Sequence, residues 1–245
     1  MPMSHPTLRP AKNRTMAASQ RLQDLGAIVE ELREANDGMQ LKMYFNRRDV
    51  EANSGAQPTL DWGDLNRMNQ GQVETVASEV IQHLRIALDY LAYQLAWLDS
   101  GLQQQRTQFP IVDQSAQWSS RCRQDLPGVH RAHLDLIRQY QPFAGCSWTR
   151  ELRDLSNTDK HRFVVDVSTN FSGTFTYDLS KLAPDPSDPE RLVLGLPARV
   201  TIGLADGREL LEVLRPLAVG VSEVLLEFQG YFGEQDELRV ASGVK

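Results

Sequence analysis

Residues 73–98 read VETVASEVIQHLRIALDYLAYQLAWL and form the most hydrophobic stretch of the chain. Apolar residues recur there at helical spacing, which predicts one long helix from Val73 to Leu98. One face carries the expected core residues Val73, Val80, Leu84, Leu88, Leu91, Leu95 and Leu98. A second apolar stripe on the far side consists of Ile86, Tyr90, Tyr93 and Trp97. A helix that is apolar on two faces lies either in the middle of a bundle or at a subunit interface, and both alternatives stay open.

Two charged residues, Arg85 and Asp89, lie between these stripes, one helical turn apart. Ala92 and Ala96 continue the same line and leave space beside the charges. A partly buried pair of this kind must be hydrogen-bonded to be tolerated. Three interpretations stay open. The pair could be an ion pair that fixes the helix register, it could line a pocket for a ligand or catalytic group, or it could be exposed and without a role.

On the N-terminal side of this helix, the pattern changes twice. Residues 1–16 are polar and are predicted to form a disordered tail, whereas residues 17–36 have the apolar spacing of an amphipathic helix. Residues 41–47 alternate like a strand, and residues 59–62 are a plausible hairpin partner.

On the C-terminal side, residues 129–140 and 149–156 are predicted helices. Candidate strands follow at residues 163–168, 174–178, 192–196, 200–204 and 208–214, with residues 183–190 as a loop. Asp206-Gly207 predicts a hairpin turn between the last two strands, and Pro216 suits the first turn of a closing helix. The predicted fold class is α+β: a bundle of about four to five helices with an antiparallel sheet of about five strands. Residues 17–245 would form one domain, helical over about 17–157 and 216–232, with the sheet over about 163–214.

A polar run at a predicted helix-to-strand corner contains the second candidate site. The candidate binding residues are Asn157, Asp159, Lys160 and Arg162, and the candidate catalytic residues are His161, Arg85 and Asp89. Histidine is the usual general acid or base in enzymes, but a histidine at a helix end also caps free carbonyls. We therefore keep both interpretations, and we expect the polar run to face the Arg85–Asp89 pair.

Composition excludes several classes of protein. The net charge of −6 gives no sign of the broad basic surface that non-specific nucleic-acid binding requires. Two distant cysteines are expected to be reduced thiols in a cytoplasmic protein, and no stretch is apolar enough for a membrane span.

His130 and His133 are interpreted as part of a solvated helix face, and neither a metal nor a cofactor is predicted. No motif of the common nucleotide-binding, zinc-peptidase, serine-hydrolase or dithiol redox enzymes is present.

Two segments resemble a known pattern. HLRIALDYL (83–91) is similar to an LRxALDxL helix, and LSNTDKHR (155–162) is similar to an NxDKHR corner, with Phe109-Pro110 between them. Together they resemble a widespread bacterial family without an established function. A more distant resemblance is to HEPN-type domains, which are often dimeric helical bundles and in many cases metal-independent ribonucleases. The HEPN motif places a histidine after an arginine and four to six other residues, whereas Tyr90 stands at the matching distance from Arg85.

Three functions remain as alternatives. The first is a non-catalytic or regulatory binding protein, with a homodimer formed through the helix from Val73 to Leu98. The second is a HEPN-like ribonuclease with RNA as its partner, in which Arg85 and His161 share one cleft. The third is an enzyme of unknown class that acts on a small anionic ligand.

Overall fold

The computed structural model describes residues 5–35, 40–52, 57–61, 70–161, 179–197, 202–204 and 206–233. The helices are α1 (Arg9–Ala35), α2 (Arg47–Glu51), α3 (Gln70–Ser100), α4 (Ser115–Asp125), α5 (Arg131–Gln139), α6 (Ser147–His161) and α7 (Leu210–Gln229). The strands are β1 (Gln40–Asn46), β2 (Thr59–Asp61), β3 (Ala183–Asp185) and β4 (Asp188–Pro197). Short 3-10 turns cover Pro142–Ala144, Leu179–Lys181 and Gly230–Phe232. The predicted α+β class is confirmed.

Helix α3 is the centre of the helical layer, and α1, α6 and α7 pack against it. The predicted core face is buried at Val73, Val80, Leu84, Leu88, Leu91 and Leu95. Burying a side chain of this size contributes about 1.5–3 kcal/mol, so this face stabilises the packing of the helices. The prediction of one long central helix is confirmed.

The second apolar stripe of α3 is covered in part. Trp97 is buried, whereas Ile86, Tyr90 and Tyr93 are half-buried. The guanidinium of Arg14 on α1 lies 6.0 Å from the centre of the Tyr90 ring, a cation–π distance. Helix α1 therefore covers part of the stripe, and the homodimer through α3 stays a prediction.

The sheet is antiparallel, with strand order β2-β1-β4-β3. Met43 and Phe45 of β1 are buried with Leu194 of β4, while Lys42 and Asn46 are exposed. This alternation is typical of a sheet with one face in a core. The strands predicted at residues 41–47, 59–62 and 192–196 are confirmed. As predicted, β1 and β2 lie within residues 17–157, the part of the chain expected to be mainly helical.

The predicted disordered tail is wrong for residues 9–16, because α1 begins at Arg9. Leu8 and Ala11 are fully buried, and the backbone N–H of Thr7 donates to the Gln94 side chain at 2.9 Å. Pro10 lies in the first turn of α1, where proline is tolerated.

Two further predictions near the C-terminus are wrong. Residues 208–214 do not form a strand, because α7 begins at Leu210 and contains Pro216. A short apolar run is compatible with a helix or a strand, so periodicity alone could not decide. Residues 183–190 were predicted as a loop but contain β3 and the start of β4.

The turn at Asp206-Gly207 is present. The Leu204 N–H donates to the Arg208 carbonyl at 2.8 Å, and Gly207 has a φ of +86°, which favours glycine. The strands predicted at residues 163–168 and 174–178 lie outside the described residues, as do residues 200 and 201 of the strand predicted at 200–204. The described residues 202–204 form only an isolated antiparallel bridge, from Gly203 to Glu209. None of the described helices is long and apolar enough to cross a membrane.

Candidate functional site

Arg85 and Asp89 form the predicted hydrogen-bonded pair, and together they hold the backbone of Phe109. Arg85 Nη2 donates to Asp89 Oδ1 at 2.9 Å and to the Phe109 carbonyl at 2.8 Å. The Phe109 N–H donates to Asp89 Oδ1 at 2.9 Å. The Arg85 side chain is 14% exposed and that of Asp89 is 34% exposed. The pair thus satisfies both backbone groups of a buried residue, which would otherwise be costly to bury.

The segment after Phe109 is held from the other side by Gln141. Its Oε1 accepts from the Val112 N–H at 3.0 Å, and its Nε2 donates to the Pro110 carbonyl at 2.9 Å. Gln141 is fully buried. Residues 109–112 are therefore a strip of backbone fixed to two separate parts of the helical layer.

This strip forms one wall of a cleft of about 180 Å³. Helices α3, α4 and α6 supply the other walls. The lining residues are Arg85, Asp89, Gln108, Phe109, Pro110, Ile111, Arg121, Asp125, Arg153, Ser156 and Asn157. The cleft brings three guanidinium groups and two carboxylates together, which is a strongly polar lining for a small space.

Among the described residues, Arg121 and Arg153 of the cleft are paired to different degrees. Arg121 Nε lies 3.7 Å from Asp125 Oδ2, beyond hydrogen-bond distance. Arg153 donates to Asp113 and to Asp154, each at 2.8 Å. Burial opposes the charge on Arg153, but these two hydrogen bonds outweigh it and raise the pKa of Arg153. The Arg153 guanidinium therefore remains cationic beside the cleft.

Two buried polar atoms in the lining have no hydrogen-bond partner among the described residues. Asp125 accepts one hydrogen bond, from Gln108 Nε2 to Oδ1 at 3.0 Å, but its Oδ2 has none. The Asp125 side chain is only 3% exposed. Ser156 is 1% exposed, and its Oγ is also unpartnered. Such atoms cost about 1–3 kcal/mol each when they are left unsatisfied.

The polar run at the end of α6 divides between two places. Asn157 lines the cleft together with Arg85 and Asp89. Asp159 instead accepts from Ser78 Oγ at 2.8 Å and from Gln82 Nε2 at 2.7 Å, and so ties α6 to an earlier part of α3. The side chains of Lys160 and His161, and all of Arg162, lie outside the described part of the chain.

Sequence reasoning missed the α4 contribution to the site. Helix α4 buries only Trp118, Cys122 and Asp125, so its apolar periodicity is weak and no helix was predicted. Burial raises the pKa of the Cys122 thiol to about 11, with a smaller effect from Asp125. A charged residue that continues the stripe of Trp118 and Cys122 was the available signal for a buried carboxylate.

The interpretation of His130 and His133 as a solvated helix face is wrong for His133. His133 is buried, and its Nδ1 lies 2.8 Å from Asp99 Oδ2. The same Asp99 oxygen accepts the His130 N–H at 2.7 Å, at the start of α5. Asp99 thus caps α5 and orients His133 against the Tyr231 ring, whose centre is 4.4 Å away.

In the described part of the chain, no three His, Cys, Asp or Glu residues are grouped to hold a metal ion.

Comparisons with family models, with curated proteins and with solved structures find no match for this chain. The resemblances of residues 83–91 and 155–162 therefore stay predictions. Residues of the two motifs and of the dipeptide between them lie at the same cleft. The Arg85–Asp89 pair binds the backbone of Phe109, and Asn157 lines the cleft beside them.

Proposed function

We propose that the protein is a non-catalytic binding protein that holds a small zwitterion, of amino-acid size, in the cleft between α3, α4 and α6. The observation that carries this proposal is the buried Oδ2 of Asp125, which lies 3.7 Å from Arg121 Nε and has no hydrogen-bond partner among the described residues. A carboxylate buried without full pairing is expensive, and a bound cationic N–H donor would offset that cost.

The lining also favours an anionic group on the same ligand. Arg121 and Arg153 present guanidinium groups to the cleft, and guanidinium recognises carboxylate in a bidentate geometry. Ser156 and Asn157 add neutral hydrogen-bonding groups to the lining. A ligand with an ammonium group close to a carboxylate matches this arrangement.

The size of the cleft limits the ligand. One water occupies about 30 Å³ of liquid, so 180 Å³ corresponds to roughly six waters. A molecule of about six to eight non-hydrogen atoms fills that space, whereas most pockets for larger ligands measure about 300–1,000 Å³. Small amino acids are therefore better candidates than nucleotides.

The ribonuclease alternative receives less support from Arg85. Arg85 Nη2 already donates hydrogen bonds to Asp89 and to the Phe109 carbonyl. Binding a phosphate through this nitrogen would have to compete with both of them. Metal-independent cleavage of single-stranded RNA by the wild type, abolished in His161→Ala, would favour that alternative over ours.

The experiment is a calorimetric titration of the wild type with L-alanine, L-serine and β-alanine. Acetate and methylammonium, each carrying one of the two charges, are the matched probes. We expect at least one zwitterion to bind about tenfold or more tightly than either single-charge probe, because only it pairs both ends of the cleft. Equal binding of acetate would favour the alternative of a small anionic ligand, and binding of none of the five would contradict the proposal.

A pair of matched variants assigns the binding to the cleft. Asp125→Asn keeps the shape of the side chain but removes its charge, and should abolish zwitterion binding. Asp135→Asn makes the same change on the exposed surface of α5, where the side chain is 59% exposed, and should leave binding unchanged.

A further inference from the structure

A second surface feature, separate from the cleft, is an apolar groove between α1 and α7. The groove has a volume of about 750 Å³ and is lined by α1 residues from Ser19 to Gly26 and α7 residues from Arg215 to Leu226. Two large apolar side chains of α7 are exposed along it, Val219 at 56% and Leu226 at 65%. Exposed apolar residues that cluster in a groove indicate an interaction surface more often than scattered ones do.

The floor of the groove is left open by Gly26. A Cβ atom built on Gly26 would have no heavy atom of the described residues within 4 Å, so packing against those residues does not require a glycine there. Glycine inside a helix is less stable than alanine by about 0.5–1 kcal/mol. Its presence gives another backbone or a large side chain room to approach α1 closely.

The charges beside the groove have a symmetric arrangement. Arg215 lies four residues before Val219, and Glu223 lies four residues after it. On a helix these three residues share one face. Arg215 and Glu223 are exposed and form no ion pair with any residue in the described segments.

We infer that a second copy of this chain occupies the groove, with its α7 antiparallel to this α7 and the two-fold axis close to Val219. An antiparallel pair of helices related by such an axis places each residue opposite the one equally far on the other side of the axis. Arg215 therefore faces Glu223 of the partner subunit, and Glu223 faces the partner's Arg215. Val219 of both copies meets at the centre, with the α1 helices flanking the pair.

This surface suits a second copy better than the aromatic stripe of α3 does. Trp97 of that stripe is buried within the chain, and Arg14 already covers Tyr90. The α7 face instead combines exposed apolar side chains with charges that complement themselves under a two-fold rotation. Charge complementarity of this kind fixes orientation and disfavours unrelated partners.

Sedimentation velocity over a concentration series tests the inference with four forms of the full chain. The wild type should form a dimer. Arg215→Glu and Glu223→Arg should each weaken dimerisation by about tenfold or more, because two ion pairs become two repulsive contacts. The double variant Arg215→Glu with Glu223→Arg should restore the dimer, since it exchanges the two charges and recreates both pairs.

The control is Arg131→Glu, a reversal on α5 where the side chain is 92% exposed and far from the groove in sequence. It should dimerise like the wild type, and circular dichroism should show that every variant is folded. A wild type that remains monomeric through the series would overturn the inference. So would single reversals that leave the dimer intact, or a double variant that stays as weak as the single ones.

Discussion

Asp89 on the central helix accepts the backbone N–H of Phe109, 20 residues further along the chain, at 2.9 Å. Together with the Arg85 bond to the Phe109 carbonyl, this contact makes an ion pair on α3 into the anchor of the strip that walls the cleft. The primary role of the Arg85–Asp89 pair is structural: it shapes the cleft by fixing the backbone of Phe109.

Removing the carboxylate should therefore destabilise the protein. Asp89→Ala leaves Arg85 without its charged partner and the Phe109 N–H without an acceptor, and should lower the free energy of unfolding by about 2–4 kcal/mol. Urea denaturation measures this loss. Asp135→Ala, at an exposed position, should stay within about 0.5 kcal/mol of the wild type. A loss below about 1 kcal/mol in Asp89→Ala would show that the anchor is dispensable.

Close packing between α6 and α7 gives a second prediction. A Cβ atom added to Gly220 would lie 2.6 Å from Trp148 Cε2, so Gly220→Ala should destabilise the protein by about 1–3 kcal/mol through overpacking. Gly71→Ala is the matched control, since a Cβ atom there meets nothing within 4 Å, and it should be neutral or slightly stabilising. Thermal denaturation of both variants separates the two effects, and equal stability of the two would refute the packing account.

The ion pairs of Asp113 predict a dependence on pH. The hydrogen bond from Arg153, aided by that from Arg150, lowers the pKa of Asp113. A lowered pKa means that the folded state favours the ionised form. The stabilisation is thus complete above the ordinary aspartate pKa of about 3.9 and is lost as the pH falls through the lowered value. The contribution should be small, because the side chain is 43% exposed.

The measurement is the difference in unfolding free energy between the wild type and Asp113→Asn. This difference should be largest at neutral pH and should shrink as the pH is lowered towards about 3. A difference that grows on acidification would reverse the expected sign and contradict the assignment.

The central helix and the Arg85–Asp89 pair could be predicted because the signal was local. Residues 73–98 repeat the apolar spacing of a helix over about seven turns. Two opposite charges between apolar stripes are expected to pair, because an unpaired buried charge is costly. The sheet was predictable at β1 and β4 for the same reason, since Met43 and Phe45 alternate with polar neighbours.

The cleft as a whole could not be predicted, because its members are distant in sequence and locally ordinary. Asp125 resembles any acidic residue at the end of a polar helix, and Ser156 any helical serine. They are buried only because α4 and α6 pack around the strip of residues 109–112. In the same way, residues 210–214 form a helix because their apolar side chains pack into the core on one face of α7. This is a tertiary effect, and a short stretch of sequence does not predict it.

The most direct test of the binding role is the free energy of unfolding of the wild type and of Asp125→Asn, each measured without ligand and with the tightest-binding zwitterion at about 100 times its Kd. Without ligand, Asp125→Asn should be as stable as the wild type or more stable by about 1 kcal/mol, because the change removes an underpaired buried charge. With ligand, the wild type alone should gain about 2.7 kcal/mol. The account would be contradicted if Asp125→Asn were less stable than the wild type by more than about 1 kcal/mol without ligand, or if both proteins gained equally on adding it.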